Sequence, residues 1–340
     1  CNLGLSRGSK IGSIPQNFKP GYLPVMNPIN VGVIGAGKLG AFHAGKYQRL
    51  SDCRLVAVAD VDSKKARKIA KEYGAVFSDN FEDILANVDA VTIATPTSTH
   101  YDVALKCLKR GIHVLVEKPV CETPEQAKIL IDASRDAGVK FQVGHVERFN
   151  PAILCADRLI NQPLFIEVHR LGNFSKRGTD VDVVLDLMIH DIDLALHYVK
   201  SSVTHLSAVG VPVLTKHGDI ANVRLEFENG CVANLTASRV SREKTRKFRI
   251  FQESGYLSID LLNHAVSWVK KINKQVLGRP IILPRNLKVP KKDALEEEVA
   301  SFVRAVGKNF PVEVTGEDGL KALELANKFK GRMLERLEIF

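Results

Sequence analysis

The sequence predicts an α/β protein with a doubly wound parallel sheet, followed by a second α+β domain with an open, mostly antiparallel sheet. Two observations carry this prediction. From residue 28 to residue 148, short apolar runs alternate with helical patterns, which is typical of parallel strands covered by helices on both faces. From Pro163 to Pro284, most segments alternate apolar and polar side chains, which is typical of an antiparallel sheet with one covered face.

The composition indicates a globular protein with room for two domains. The chain has 340 residues, of which 45% are hydrophobic and 25% charged, as in soluble domains with a substantial core. No apolar run approaches the ~18–20 residues of a membrane span. The 6 cysteines are widely scattered, so we expect reduced thiols in a cytoplasmic protein without membrane contact. The net charge of +10 is spread along the chain without a nucleic-acid module, so no nucleic-acid partner is expected.

The chain divides into a predicted extension and the two domains. Residues 1–27 are rich in Gly, Pro and Ser and show no periodicity, so we expect them to be disordered. They lack the apolar segment of a secretory signal. Residues 28–148 carry the alternating strands and helices of the first domain, and residues 149–340 form the second domain.

The first domain begins with a strand, a glycine-rich turn and a helix, and continues in the same alternation. Its predicted strands are NVGVIGA, RLVAVAD, DAVTIATP, HVLVEKP and KFQVGHV. The helices between them are a stretch through Leu50, then SKKARKIAKEYG, YDVALKCLKRG and TPEQAKILIDASRDAG. The last of these helices has a capping box, with Thr123 as N-cap, Pro124 at the first helical position and Gln126 at the third. Gly138 follows its end.

The second domain is predicted mainly from strands. They are LFIEVHR, HLSAVGVPV, ANVRLEFENG, CVANLTAS, KFRIFQE, YLSIDLL and AVSWVKK. Asn229 and Gly230 form a turn signal that joins two of these strands into a hairpin. Helical patterns occur near Pro151–Ile160, in VVLDLMIHDIDLALH from Val183 to His197, and in the C-terminal segments ALEEEVASFVRAVG and DGLKALELANKFKGRMLERL.

A glycine-rich turn, GVIGAGKLG, follows the first strand and opens the first helix. Gly35 permits a tight turn, Gly37 lets the backbone approach a pyrophosphate, and Gly40 permits close contact between helix and strand. The second strand ends in Asp60, where an acid accepts hydrogen bonds from ribose hydroxyls and repels a 2′-phosphate. The sequence therefore predicts a Rossmann domain that binds NAD in preference to NADP. The cofactor ligands predicted here are Gly35, Gly37, Lys38, Leu39, Gly40 and Asp60.

Two further strands end in polar residues at the same edge of the predicted sheet, where open α/β sheets bind ligands. The motif VLVEKPV places Glu117 and Lys118 at one of these ends, and Glu117 is predicted to bind the cofactor. The preceding strand ends in ATPTSTH, whose Thr95, Pro96 and His100 can supply hydroxyl and backbone groups to the nicotinamide half of the cofactor. A lone lysine at a strand end also occurs on ordinary surfaces, so this motif alone leaves that alternative open.

A helix of the second domain carries a narrow polar stripe, because Asp186, His190, Asp193 and His197 lie at i, i+4, i+7 and i+11. Its other positions are mostly apolar, so we expect the helix to be buried. Burying carboxylates and imidazoles costs free energy unless they are paired, so we interpret the stripe as facing a ligand cleft. Two alternatives stay open, a zinc site on this face and a structural network of paired side chains. We expect no metal, since a nicotinamide already supplies the electrophile.

Three motifs together resemble the glucose–fructose oxidoreductase/inositol dehydrogenase (GFO/IDH/MocA) family: GVIGAGKLG, EKPV and the D-x-x-x-H-x-x-D pattern of Asp186, His190 and Asp193. The resemblance extends from Asn30 to the C-terminal helix. It implies an NAD-binding Rossmann domain and a second domain for substrate binding and oligomerisation, which together oxidise or reduce a sugar or polyol carbon. It also implies that Lys118 and His190 carry the catalysis and that Asp186 supports the site.

More narrowly, GHVERFNPA and RGTDVDVVLDLMIHDID resemble a bacterial subgroup of that family, the UDP-N-acetylglucosamine 3-dehydrogenases of lipid A biosynthesis. This resemblance implies NAD-dependent oxidation of the nucleotide sugar at C3 to the 3-keto sugar. It also implies an aminotransferase as pathway partner and a homodimer or homotetramer. Lys176 and Arg177 suit a diphosphate, because arginine can bind two oxygens at once, and an ordinary solvated loop is the alternative that stays open. The residues predicted to bind substrate are Arg148, Lys176, Arg177 and Asp193.

Other activities fit the same residues. A relative of this kind could oxidise an inositol or another free sugar or polyol. An NAD-dependent glycosidase on the same fold would oxidise, eliminate and re-reduce its substrate without net redox change. A nucleotide-sensing protein would use the fold only for binding, although Lys118, Asp186 and His190 together argue against it. In a dehydrogenase, His190 suits the general base and Lys118 the stabilisation of a developing alkoxide, or these two roles are exchanged.

Overall fold

The computed structural model describes residues 28–174, 182–276 and 279–337. The extension predicted for residues 1–27 lies outside this part of the chain. Within the described residues, no helix is long and apolar enough to cross a membrane, and five cysteines are free thiols.

The first sheet confirms the predicted doubly wound arrangement. Its strands are β1 (Ile29–Ile34), β2 (Cys53–Ala59), β3 (Val76–Ser78), β4 (Ala90–Ile93), β5 (His113–Glu117) and β6 (Phe141–Gly144). They are all parallel and lie in the order β3-β2-β1-β4-β5-β6. The strand order reverses between β1 and β4, which opens a crevice at their carboxyl ends where ligands bind in such sheets.

Helices cover both faces of this sheet. They are α1 (Lys38–Tyr47), α2 (Ser63–Tyr73), α3 (Thr97–Lys109) and α4 (Pro124–Asp136). The predicted capping box of α4 is present, with Thr123 and Gln126 each accepting a backbone N–H of the other residue. Apolar side chains form a separate core on each face, and Leu115 and Val116 of the same strand point into opposite cores.

The second sheet is mixed and mostly antiparallel. Its strands are β7 (Phe165–Leu171), β8 (Val203–Val211), β9 (Ile220–Phe227), β10 (Val232–Ser238), β11 (Thr245–Gln252), β12 (Gly255–Asp260), β13 (Ala265–Val276) and β14 (Arg279–Leu287). The order is β14-β13-β12-β11-β7-β10-β9-β8, and only β7 and β10 pair in parallel among these described strands. The predicted turn between β9 and β10 is present, with Gly230 at a φ of 84°.

One face of the second sheet packs against helices. They are α5 (Pro151–Ala156), α6 (Ile189–Val199) and α8 (Gly316–Leu337), and a π-helical turn, Val184–Met188, leads into α6. The core between sheet and helices includes Val168 of β7, Ile192 of α6 and Phe329 of α8. This packing fixes one side of α6 against the sheet and turns its other side toward the first domain.

The C-terminal helices connect the two sheets. The helix α7 (Ala294–Gly307) packs on α1, and its Val299 and Phe302 belong to a core of the first sheet. The helix α8 contributes Leu323 to the other core of the first sheet and Phe329 to the core of the second. The division of the chain at residue 148 stays a prediction, because α7 and α8, which follow that residue, pack into the cores of the first sheet as well as that of the second.

Candidate active site

The glycine-rich turn has the geometry of a dinucleotide cradle. Gly35 has a φ of 99°, and a Cβ there would lie 2.6 Å from the carbonyl oxygen of Ala94. A Cβ at Gly40 would lie 1.7 Å from the carbonyl oxygen of Gly35, so only glycine allows this contact between helix and strand. A Cβ at Gly37 would meet nothing within 4 Å, which leaves space beside the first backbone N–H groups of α1. These groups attract anions, so the turn fits the pyrophosphate of NAD or NADP.

Asp60 directly follows β2 and is hydrogen-bonded to the glycine-rich turn at Ala36. Its Oδ2 accepts the backbone N–H of Ala36 at 2.6 Å, and its Oδ1 accepts that of Asp62 at 2.8 Å. A carboxylate oxygen has a second acceptor site, so both oxygens can still receive a ribose hydroxyl. The carboxylate is therefore held rigidly beside the turn, at the position predicted for the ribose.

The other predicted cofactor residues lie around the same edge. Lys38 and Leu39 form the exposed first turn of α1, and Thr95 and Pro96 lead from β4 into α3. His100 is buried, with Nδ1 2.8 Å from the carbonyl oxygen of Pro119 and Nε2 2.9 Å from that of Thr95. His100 thus ties together the loops after β4 and β5, and its direct contact with the cofactor stays a prediction.

Glu117 belongs to a buried polar cluster with His43 and Glu298, which sequence reasoning did not identify, and its predicted contact with the cofactor stays a prediction. Its Oε1 lies 2.7 Å from Nε2 of His43 on α1, and its Oε2 accepts the backbone N–H of Lys118 at 3.3 Å. Glu298 of α7 adds a second carboxylate, neither oxygen of which has a hydrogen-bond partner among the described residues. Burial and the neighbouring charge of Glu117 raise the pKa of Glu298 well above its ordinary value.

A metal ion needs several ligand atoms close together. Among the described residues, His43, Glu117 and Glu298 form the one group of three or more His, Cys, Asp or Glu side chains whose ligand atoms all lie within 4.8 Å of one another. The polar stripe of Asp186, His190, Asp193 and His197 does not form such a group in the described part of the chain. The zinc alternative for the stripe therefore gains no support from this geometry.

Lys118 follows β5 and reaches the helix of the second domain. Its Nζ donates a hydrogen bond to the backbone carbonyl oxygen of Asp186 at 2.6 Å and lies 4.0 Å from Oδ1 of the same residue. Burial lowers the pKa of Lys118, while the carboxylates of Asp186 and Glu117 raise it again. The lysine is thus an ammonium group held at the domain boundary, with a pKa below that of an exposed lysine.

His190 lies one turn beyond Asp186, on the side of α6 that faces Lys118. Burial lowers the pKa of His190 well below its ordinary value, and the positive charges of Lys118 and Arg170 lower it further. The imidazole is therefore neutral at neutral pH. Its Nδ1 is buried and has no hydrogen-bond partner among the described residues. A neutral imidazole beside an ammonium group is a base–cation pair that can serve proton transfer.

The second half of the polar stripe, which consists of Asp193 and His197, contacts another side chain of the protein, Arg148. Arg148 binds Asp193 through two hydrogen bonds, Nε to Oδ2 at 2.6 Å and Nη2 to Oδ1 at 2.7 Å. Nη1 of Arg148 also contacts Nδ1 of His197. Arg148 and Asp193 are buried, so the structural-network alternative describes this half of the stripe. Their predicted contact with substrate stays a prediction.

A second buried ion-pair network was not found from the sequence. Arg170 of β7 donates two hydrogen bonds to Asp191 of α6 and one to Glu147, each at 2.8 Å. It fixes α6 to the sheet and to the segment after β6, directly behind His190. Asp191 lies off the polar stripe, which explains why its periodicity gave no signal. Lys176 and Arg177 lie outside the described residues.

His145 is the remaining polar residue of this region that sequence reasoning missed. It follows β6 in the stretch GHVERF, and its ring lies edge-on to that of His190 with centroids 6.2 Å apart. The available signal was its position, directly after a strand that neighbours the one carrying Lys118.

Two family profiles match the chain. One, described as "Oxidoreductase family, NAD-binding Rossmann fold" of GFO/IDH/MocA, matches residues 29–145. The other, the GFO/IDH/MocA C-terminal domain, matches residues 162–258.

Named relatives and a solved structure agree with these matches. A UDP-N-acetylglucosamine 3-dehydrogenase from Acidithiobacillus ferrooxidans is 38% identical over 299 residues, 88% of this chain and 95% of that protein. An inositol 2-dehydrogenase from Rubrobacter xylanophilus is 36% identical over 227 residues, 63% of this chain and 65% of that protein. A solved structure of the Acidithiobacillus enzyme superposes with a TM-score of 0.85 at 36% identity, covering 90% of this chain and 98% of that one.

Proposed function

The chain belongs to the GFO/IDH/MocA family of oxidoreductases, and we propose that it uses NAD to oxidise UDP-N-acetylglucosamine at C3 to the 3-keto sugar. The observation that supports the catalytic part is the hydrogen bond from Lys118, at the end of β5, to the carbonyl oxygen of Asp186 in the turn that leads into α6. The choice of sugar rests on the 38% identity over 88% of this chain.

The residues around this hydrogen bond suit the oxidation of an alcohol. When bound, NAD supplies the hydride acceptor. His190 accepts the proton of the substrate hydroxyl, because its neutral form prevails at neutral pH. Lys118 donates a hydrogen bond to the same oxygen and stabilises its developing negative charge. Asp186 keeps the ammonium charge of Lys118 in place through its carbonyl oxygen and its carboxylate.

Preference for NAD over NADP is part of this proposal. Asp60 is held beside the cradle by two backbone N–H groups and presents a negative charge to the ribose. A 2′-phosphate placed there would meet like charge at short range, whereas a hydroxyl would donate a hydrogen bond.

The diphosphate of the nucleotide sugar is assigned to Lys176 and Arg177, which directly precede the polar helix in sequence. The 3-keto product then suits an aminotransferase, because a ketone is the group that such an enzyme converts to an amine. The first assignment rests on the charge and sequence position of Lys176 and Arg177, and the second on the sequence resemblance.

We further propose a homodimer or homotetramer formed through the outer face of the second sheet. Phe165, Phe251 and Tyr256 lie side by side on this face, with ring centroids 5.7 and 5.3 Å apart. Tyr256 is 36% exposed, and exposed apolar clusters of this kind often mark interfaces. Light scattering at micromolar concentration tests this, and a monomeric mass contradicts it.

An inositol dehydrogenase is the second candidate, because inositol 2-dehydrogenases are among the relatives. The deciding experiment mixes the purified protein with NAD and either UDP-N-acetylglucosamine, free N-acetylglucosamine or myo-inositol, and follows NADH absorbance. Hydroxylamine is added to trap the ketone. We expect kcat/KM for the nucleotide sugar to exceed that for inositol by about tenfold or more, a difference of about 1.4 kcal/mol or more. The reverse order overturns the nucleotide-sugar proposal, and the Lys118→Met variant is the inactive control.

A further inference from the structure

His145 is a buried imidazole without a hydrogen-bond partner in the described part of the chain. Its side chain is 1% exposed, and neither ring nitrogen has a hydrogen-bond partner among the described residues. A buried polar group without a partner costs about 1–3 kcal/mol. An apolar side chain would therefore pack at this position at a lower cost in free energy. This indicates that the imidazole of His145 has a role besides packing.

The strand register places His145 beside Lys118. Glu117 of β5 pairs with Gly144 of β6, so the next residue on each strand is Lys118 or His145. Successive side chains of a strand point to opposite faces. Glu117 points under the sheet toward His43, and Lys118 points to the other side, toward α6. His145 follows the same alternation, and its ring accordingly reaches the ring of His190.

The surroundings of His145 keep its imidazole neutral. Burial lowers the pKa of His145, and the positive charges of Arg148 and Lys118 lower it further. The carboxylate of Asp193 raises this pKa but offsets only part of the lowering. A neutral imidazole carries one N–H donor and one lone-pair acceptor. His145 can therefore both give and receive a hydrogen bond.

A proton-accepting imidazole is oriented by a hydrogen bond on its second nitrogen, and no described residue supplies one to Nδ1 of His190. Which nitrogen carries the proton is set by the hydrogen bond that the other nitrogen makes. Nδ1 of His190 is buried without a partner in the described part of the chain, and the nearest ring is that of His145 at 6.2 Å between centroids, inclined by 89°. One ordered water needs at least two polar partners, and the unpaired nitrogens of these two imidazoles would supply them.

We propose that His145 is a positioning residue for His190, acting through one ordered water that joins a ring nitrogen of His145 to Nδ1 of His190. The water accepts a hydrogen bond from the Nδ1–H group of His190 and donates one to a ring nitrogen of His145. This arrangement leaves the lone pair of Nε2 in His190 directed at the substrate hydroxyl. The inference rests on the proposed dehydrogenase function, because it assigns a task to the base of that reaction.

The first test needs no sugar substrate, so it is independent of the proposed function. The protein is labelled with 15N-histidine, bound to NADH, and examined by long-range 1H–15N NMR, with His190→Asn used to assign the His190 ring. We expect a single tautomer of His190 with the proton on Nδ1. In His145→Phe this tautomer should give way to a mixture. A His190 spectrum that His145→Phe leaves unchanged overturns the proposal.

The second test separates positioning from packing and from substrate contact. In His145→Phe, we expect kcat to fall about 10- to 100-fold, less than the loss of the base itself. The KM for the sugar and the Kd for NAD should stay within about threefold, and the melting temperature should not fall. His145→Gln retains donor and acceptor groups and should recover part of kcat. A raised KM at normal kcat, or a lowered melting temperature that accounts for the lost activity, overturns the proposal.

His113 provides the matched control. It lies at the start of β5, far from α6, and its Nδ1 accepts the backbone N–H of Lys140 at 2.8 Å. His113→Phe breaks this hydrogen bond, so we expect a lower melting temperature with unchanged kcat per folded enzyme. If the wild-type protein oxidises none of the tested sugars, the proposed function fails, while the tautomer measurement still decides the role of His145.

Discussion

Nζ of Lys118 donates a hydrogen bond to the backbone carbonyl oxygen of Asp186 at 2.6 Å, which joins the end of β5 to the turn that precedes α6. That turn is π-helical, with the N–H of Ile189 bonded to the carbonyl oxygen of Val184 five residues earlier. A π turn widens the helix, and such turns are frequent at functional sites. The lysine thus bridges the two domains at the point where His190 enters the cleft.

Removing the side chain of Lys118 or of His190 should abolish most of the turnover without unfolding the protein. We expect Lys118→Met and His190→Asn each to lower kcat by about 10²–10⁴. The double variant should lose far less than the product of the two losses, because groups that act in one step are not additive. Steady-state kinetics, melting and NAD titration check this on all three variants. A folded His190→Asn enzyme that binds NAD and turns over at a near-normal rate contradicts the catalytic assignment.

The pH dependence of kcat/KM should reflect the two shifted groups. Burial lowers the pKa of His190 well below its ordinary value, so its basic form persists and activity should stay level from about pH 7 to about pH 6. The carboxylate of Asp186 raises the pKa of the half-buried Lys118. Asp186→Asn removes that charge, so the pKa of Lys118 falls and the alkaline limb of the profile should move to lower pH. An unchanged or higher alkaline limb would count against protonated Lys118 as the stabilising group.

Cofactor preference should depend on Asp60. Asp60→Ala removes a charged acceptor of the ribose hydroxyls, so we expect the Kd for NAD to rise roughly tenfold or more. The Kd for NADP should rise less or fall, because the same change removes like-charge repulsion of the 2′-phosphate. Asp62→Ala is the control, since that carboxylate caps α2 through the N–H of Lys64. Isothermal titration with both cofactors checks this, and equal affinities in the unaltered protein would contradict it.

The local parts of the fold could be predicted because each is specified by neighbouring residues. The glycine turn, the capping box at Thr123 and the hairpin turn at Gly230 are all where the sequence places them. The short strand β3 was missed, since three residues are too few for a period to show. The strand β14 was also missed, because Pro280 and Pro284 argue against a strand, whereas an edge position tolerates proline.

The candidate site could be predicted only as far as one helix face extends. Periodicity identified the stripe that contains Asp186 and His190, but it cannot say what lies opposite each position. Arg148, 45 residues before Asp193 in the chain, turned out to bind it. The burial of Glu298 likewise comes from the packing of α7 on α1, whereas in sequence it is one acid among three in an amphipathic helix.

Stability at high pH should increase when the charge of Glu298 is removed. A carboxyl whose pKa is raised on folding keeps a proton that the unfolded chain has lost, so stability falls as pH rises above the ordinary glutamate pKa. Glu298→Gln imitates the protonated form, and we expect it to be more stable than wild type at pH 8 by about 1–3 kcal/mol. The gain should vanish toward about pH 4, where both proteins are uncharged at this site.

Urea unfolding at several pH values measures this effect of Glu298. The neighbouring Glu297 is partly exposed and paired with Lys292 at 2.9 Å, so Glu297→Gln serves as the control and should change stability by less than about 1 kcal/mol. A Glu298→Gln variant that is less stable than wild type at pH 8 would mean that the charged form of Glu298 is held by a favourable partner.

The pair of Arg148 and Asp193 offers a test of whether the second half of the polar stripe is structural. Asp193→Asn leaves a buried guanidinium without its bidentate partner, which should cost about 3–5 kcal/mol. The double variant Arg148→Met, Asp193→Leu should regain much of that loss, because no charge is then left buried.

An exposed pair, Lys106 with Glu82 at 2.6 Å, serves as control, and Glu82→Gln should cost less than about 1 kcal/mol. Urea unfolding and the KM for UDP-N-acetylglucosamine are measured on each variant. If Asp193→Asn keeps full stability and raises KM instead, these two side chains bind substrate and the pairing seen here opens when it arrives.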